Sequence, residues 1–377
     1  MASALRKVLL WALLCCCALA QSPLDRAVAL ARQKHYSEAN KILQGVPEPS
    51  QVSQRIAFHR LEAAIASGLN DNATAAQDMR AALELAPNDP GLLLATAVAE
   101  LQAGLLDGAL RHADQAGDNS MAHALVAEVQ DRRGDHRKAA SAYRAAVALA
   151  PQREDYRIAL GLELMQQPDF RPAIEMLQKA VPLFPNSAKL RTLLGIAEYV
   201  AGYNNEAIAA LADAISIDPK LDSAYRCLTQ IVLQSSTAPR ASVVDSLCSW
   251  NQVVCSALKL RIARETHDTA LDAQAIAGLK LAPPGDVVGT CELARAYEWN
   301  GELSKARAQM EECVRLDPSP QNHYRLGLLY EKLGLSELAH KEIELRTQTL
   351  QRMSEETAMW LKALQASETS SKRSVRP

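Results

Sequence analysis

The sequence predicts an all-α fold, a row of stacked helix hairpins, on three observations. Between Glu154 and Pro219 one pattern is written twice: Leu160-Gly161 recurs as Leu194-Gly195, Ala173 as Ala207, Leu177 as Leu211, Ala180 as Ala214 and Pro185 as Pro219, each pair 34 residues apart. Small residues stand where two helix backbones must approach, Gly161, Ala173 and Ala180 in one copy and Gly195, Ala207 and Ala214 in the next. Each copy closes on a proline, which lacks an amide hydrogen and clashes with the preceding turn, so Pro185 and Pro219 stop the second helix. A single hairpin cannot bury its apolar face alone, and its neighbours must supply the missing wall.

The order Leu-Gly, Ala, large apolar, Ala, Pro at this spacing resembles the tetratricopeptide repeat. The resemblance implies an α-solenoid of stacked hairpins forming a right-handed superhelix, and it covers most of residues 24–345. Such an array grows in one dimension, so 377 residues need not mean two or three globular domains.

Residues 1–20 read as an export signal: Arg6-Lys7, the apolar run Val8 to Cys17, then Ala18-Leu19-Ala20 as a small-x-small cleavage site before Gln21. A lipoprotein anchor at Cys17 is the weaker alternative, because Cys15-Cys16 precede it where small residues are preferred. The expected location is secreted or periplasmic, with no transmembrane segment. A first helical pair occupies 21–47, and a well-patterned array follows over 51–219. Ala109 stands 34 beyond Ala75, but Ala139 follows Ala109 by only 30, which predicts a tighter loop near Gly117. Residues 220–286 carry degenerate units around the polar stretch Ser235–Pro239. Leu293, Ala294, Tyr297, Ala306, Met310 and Pro318 restore the pattern over 287–345. An amphipathic helix over 346–367, with Leu350, Met353, Trp360 and Leu364, is expected to cap the open end, and 368–377 is a short basic tail.

Five cysteines follow the export signal, where disulfides persist after export. Cys291 and Cys313 lie symmetrically about the turn at Asn300-Gly301, a placement that permits a disulfide, and Cys227 and Cys248 are placed similarly around Ser235–Pro239. Buried thiols are the alternative in both cases. Cys248 and Cys255 on one continuous helix would be separated by roughly 10 Å, too far to bridge unless the segment around Trp250 is a loop.

For tetratricopeptide proteins the resemblance implies a concave groove lined by the first helices, which holds a protein or peptide partner. Carried over by register, its positions here are Ile158, Leu162 and Met165, then Thr192, Ile196 and Tyr199, then Arg226, Gln230 and Leu233, then Arg295, Glu298 and Trp299, with Glu128, Asp131 and Arg132 ahead of them. The centre is apolar and the flanks charged. Packing between adjacent units is the competing role for these side chains. The carboxylate-clamp variant of the family uses Lys and Asn where Leu162, Thr192 and Ile196 stand, so recognition of a chaperone tail is not expected.

The balance of 41 basic against 43 acidic residues leaves no nucleic-acid footprint. The motifs of zincins, α/β-hydrolases, P-loops and dinucleotide folds are absent from the sequence, so no catalytic residue, cofactor or metal is assigned. The eight histidines are scattered, mostly at loops and helix surfaces. The leading expectation is an exported, non-enzymatic scaffold for protein–protein interaction, of the kind that assists assembly of a cell envelope. The alternative is the helical scaffold of a glycan-handling or hydrolytic envelope enzyme, with Glu298 and Glu331 as its carboxylates. A homo-oligomer stacking through the region of Cys248 to Cys255 is a third reading.

Overall fold

The computed structural model describes residues 22–234 and 240–351. The export signal at 1–20, the stretch Ser235–Pro239, the part of the cap beyond 351 and the tail 368–377 lie outside the described residues. Every described regular element is helical. The chain divides into two compact units at Gly202/Tyr203, inside the stretch read from sequence as one array.

The first unit holds α1 (Pro23–Arg32), α2 (Tyr36–Leu43), α3 (Val52–Gly68), α4 (Asn72–Leu85), α5 (Pro90–Gln102), α6 (Leu106–Gln115), α7 (Ser120–Arg132), α8 (His136–Leu149), α9 (Glu154–Met165), α10 (Arg171–Ala180) and α11 (Ala188–Val200). The second holds α12 (Asn204–Ile217), α13 (Asp222–Gln234), α14 (Ala241–Trp250), α15 (Gln252–Thr266), α16 (Thr269–Leu279), α17 (Val287–Trp299), α18 (Leu303–Leu316), α19 (Pro320–Lys332) and α20 (336–351). Within each unit consecutive helices pair as hairpins, and each hairpin packs on the next, the stacking of an α-solenoid.

Local chemistry explains where the helices start. Asp71, Asp89, Asn119, Asp135, Ser187, Asn251, Asp268 and Asp286 each cap a helix by accepting a hydrogen bond from a first-turn amide, which satisfies a donor that has no intrahelical partner. The hairpin turns need a left-handed residue, supplied by Gly104, Gly134, Gly301 and Gly334 but also by Lys34, Asn70 and His267. The small positions of the second helices are shut away from water, Ala75, Ala109, Ala139, Ala173, Ala306 and Ala339 among them. Gly161 shows why: a Cβ there would stand 2.7 Å from Leu193 Cδ2 and 3.2 Å from Leu177 Cδ2.

Two expectations are corrected. The shortened step between Ala109 and Ala139 does not come from a tighter loop: four residues, Ala116–Asn119, join α6 to α7, and four, Ala86–Asp89, join α4 to α5. The helix itself is shorter, 10 residues in α6 against 14 in α4. Nor does Pro185 stop α10. Pro182 sits inside a 3-10 turn over Val181–Leu183 and ends the α-helix at Ala180.

The cysteine pairing is also resolved. Cys291 and Cys313 form a disulfide across the α17/α18 hairpin (S–S 2.03 Å). Cys248 and Cys255 form a second (S–S 2.08 Å), and Cys227, whose pairing with Cys248 the sequence left open, is a free thiol. The short Cys248–Cys255 link is feasible because the helix breaks between them: Asn251 is extended (φ −148°, ψ 119°), closing α14 and capping α15.

Candidate interaction faces on the first helices

In the first unit the candidate residues come from α9 and α11, first helices of successive hairpins that touch one another. Leu162 is 47% exposed, while Ile158, Met165, Ile196 and Tyr199 are half-buried. Together they make an apolar stripe that is partly spent on packing and partly open. Thr192 belongs elsewhere: it is only 6% exposed, and its hydroxyl donates to the Ala188 carbonyl (2.9 Å), so it offers a partner little. Helical register put it beside Ile196, but the packing of the unit turns it inward.

Ahead of that stripe Asp131, His136 and Glu163 bring one ligand atom each to within 4.8 Å of one another. His136 Nδ1 lies 3.0 Å from Glu163 Oε2 and 3.4 Å from Asp131 Oδ1. Burial raises the Glu163 carboxyl above its usual range, with Asp131 adding to the rise and His136 opposing it. The trio could hold a divalent cation. An imidazole against a poorly solvated carboxylate recurs, however, at His112–Glu100 (2.7 Å) and His323–Glu342 (2.7 Å), where no third ligand joins among the described residues. A hydrogen bond from the ring to a poorly solvated carboxylate is the arrangement common to all three. His323 is buried, not at the surface where the sequence placed most histidines.

In the second unit α13, α15, α17 and α19 are the first helices. Arg226 is exposed and paired with Asp222 one turn earlier. A cavity of about 600 Å³ is lined by Arg226, Gln230, Trp250, Asn251, Glu292 and Arg295, with Trp250 stacked on Tyr225 (centroids 5.1 Å, planes 9° apart). Next to it, a cavity of about 430 Å³ is lined by Arg264, Arg295, Glu298, Trp299, Arg325, Leu328 and Lys332. Trp299 is 67% exposed and carries the Arg264 guanidinium over its ring at 5.2 Å. Burial pulls the Arg264 pKa below its ordinary value, against Asp272 and Glu292, which favour the charge.

Arg264, Arg325 and Lys332 were not singled out from sequence. A signal was present, since Arg264, Glu298 and Lys332 follow one another at the 34-residue period and occupy one register position on three successive first helices. The two carboxylates of the enzymatic alternative are engaged separately: Lys332 donates to Glu298 (2.5 Å), and the Ser336 hydroxyl to Glu331 (3.4 Å). No helix among the described residues is long and apolar enough to cross a membrane.

A tetratricopeptide repeat family profile matches residues 60–120 and 158–222, and a second tetratricopeptide repeat profile matches 291–320. Comparison with curated proteins yields no match. Among solved structures, the chain is similar to the C-terminal part of a TPR repeat-containing protein from Cytophaga hutchinsonii, at 17% identity over 68% of this chain and 94% of that one (TM-score 0.48). It is similar to a tetratricopeptide repeat protein from Parabacteroides merdae at 15% identity over 76% and 98% (TM-score 0.41). A thermophilic TPR protein of Thermus thermophilus matches at 20% identity over 47% and 99% (TM-score 0.35).

Proposed function

We propose that this chain, which carries tetratricopeptide repeats in both of its units, is an exported, non-enzymatic scaffold that holds a segment of another polypeptide against its first helices, as an assembly factor of the cell envelope would. The repeats themselves support a protein-interaction scaffold in general. The observation that carries the finer reading is the open stripe on α9 and α11. Leu162 is exposed between half-buried Met165, Ile196 and Tyr199, an arrangement that leaves apolar surface open to a partner. Export is supported by Arg6-Lys7 with the apolar run behind it, and by two disulfides, which persist in oxidising compartments.

The test is affinity capture from the exported fraction with the wild-type chain and with Ile196→Glu/Tyr199→Ala as bait. The double variant is expected to lose the captured protein at unchanged helix content. Equal capture by both baits would refute the reading.

A further inference from the structure

We propose that the 430 Å³ cavity of the second unit is a site for a side-chain carboxylate, presented by an acidic segment of the polypeptide that the scaffold holds. The inference rests on the scaffold reading above and adds the chemistry of the partner.

The guanidinium groups that line the cavity carry N–H donors that the fold leaves unmet. Arg325 forms no ion pair or hydrogen bond among the described residues, and its Nη1 is enclosed with no acceptor. Arg295 pairs with Glu292 one turn earlier, yet its Nε is also enclosed and unmet. Arg264 spends Nη2 on the Arg295 carbonyl (3.4 Å) and leaves Nε without an acceptor, 3.7 Å from Asp272. A guanidinium N–H shut off from water with no partner is unfavourable, and three from one neighbourhood are unusual in a folded protein.

Charge points the same way. Four cations, Arg264, Arg295, Arg325 and Lys332, line or border the cavity, and the acids facing them are Glu298, Glu292 and Asp272. Glu298 is held by Lys332 and Glu292 by Arg295, so Arg325 is the cation left over. Burial raises the Glu292 carboxyl above its ordinary range, which weakens its claim on Arg295. A planar oxyanion that accepts two parallel N–H bonds is what a guanidinium recognises best, and the carboxylate of Asp or Glu has that shape.

The rim identifies a peptide as the occupant. Trp299 and Leu328, 67% and 41% exposed, border the same cavity and suit the aliphatic part of a chain whose acid reaches inward. The three first helices α15, α17 and α19 contribute side by side, so an extended segment crossing them meets the cations and the indole together.

The test is calorimetric titration of the full chain with a peptide blocked at both ends, alternating Glu or Asp with Leu, and with its Gln/Asn counterpart. The acidic peptide is expected to bind and the amide peptide to bind at least about tenfold more weakly. Arg325→Gln should weaken the acidic peptide by a similar factor, with Arg325→Lys recovering part of it. Trp299→Ala, a change at an exposed ring, should weaken it too. Lys189→Gln, which removes the same charge from an exposed site in the first unit, should bind as wild type does. Equal binding of acid and amide peptides, no loss in Arg325→Gln, or an equal loss in Lys189→Gln would each overturn the proposal. If the acidic peptide fails while capture through Ile196 and Tyr199 persists, the carboxylate site is wrong and the scaffold reading stands. Loss of both removes the scaffold reading as well.

Discussion

Cys248 and Cys255 stand with their Cα atoms 4.3 Å apart and joined through sulfur, although an unbroken helix would carry them well beyond reach. The bond and the break at Asn251 imply each other. Closing so short a loop restrains the unfolded chain by roughly 2 kcal/mol, and the 22-residue separation of Cys291 and Cys313 by about 3 kcal/mol. Reductant is therefore expected to lower the urea midpoint of the wild-type chain. It should lower it less once Cys248→Ser/Cys255→Ser is in place. A midpoint indifferent to reductant would contradict both bonds.

The close approach at Gly161 gives a second prediction. Gly161→Val places branched carbon against Leu193 and Leu177 in a core with no spare volume, and should destabilise the first unit by roughly 2 kcal/mol. Gly327→Ala adds a single carbon, 3.1 Å from Ile343 Cδ1 and 3.4 Å from the Ala339 carbonyl oxygen where the nearest atom at Gly161 is at 2.7 Å, and is expected to be milder. Thermal melting of the two variants checks the order, and a reversed order would show that the helices meet differently.

Asp78 supplies a pH dependence. Burial raises its carboxyl to about 6, with Glu62 and Asp71 adding to the rise and His59 opposing it. Because the folded-state value lies above the unfolded one, the stabilising contribution of the protonated form is complete below about pH 3.8 and is lost as pH rises through about 6. Asp78→Asn should thus be more stable than wild type near pH 7.5, by about 1 kcal/mol once screening at a half-buried carboxylate is allowed for. The difference should fade toward pH 4. Urea titrations at both pH values check it, and a difference that does not change with pH contradicts the assignment.

A left-handed turn held by a residue other than glycine gives a fourth. His267 has φ 56° where the turns at Gly104, Gly134, Gly301 and Gly334 use glycine, a conformation that costs an L-residue about 1 kcal/mol. His267→Gly should raise the melting temperature slightly, since relief of the backbone outweighs the extra freedom that glycine gives the unfolded chain. A lowered melting temperature would mean that the imidazole contributes more than its backbone loses.

The hairpins were legible because their signals are local and repeated. Alanines such as Ala173 and Ala207 must be small wherever two helices touch, and Pro87, Pro151, Pro219 and Pro318 each follow a second helix by two residues. Register along one helix put Leu162 and Trp299 at groove positions with packing between units as the competing role, and both side chains are exposed. The break near Trp250 was left open as the condition on which Cys248 and Cys255 could join, and Asn251 ahead of Val253 and Val254 is the capping signal that marks it. Thr192 went astray because periodicity gives a face but not which neighbour covers it. Arg264, in a degenerate unit, and Arg325, in a well-patterned one, were passed over because a charge on a helix surface reads as solvation until three helices bring several such charges together.

The central claim is that the first helices, and not the second, meet a partner polypeptide. It is tested most directly by placing a photo-activated cross-linking residue at Tyr199 on α11 or at Lys179 on α10 and irradiating the exported protein in its native extract. The account predicts a cross-linked partner from position 199 and none from 179. Cross-links from 179 alone, or equally from both positions, would contradict it.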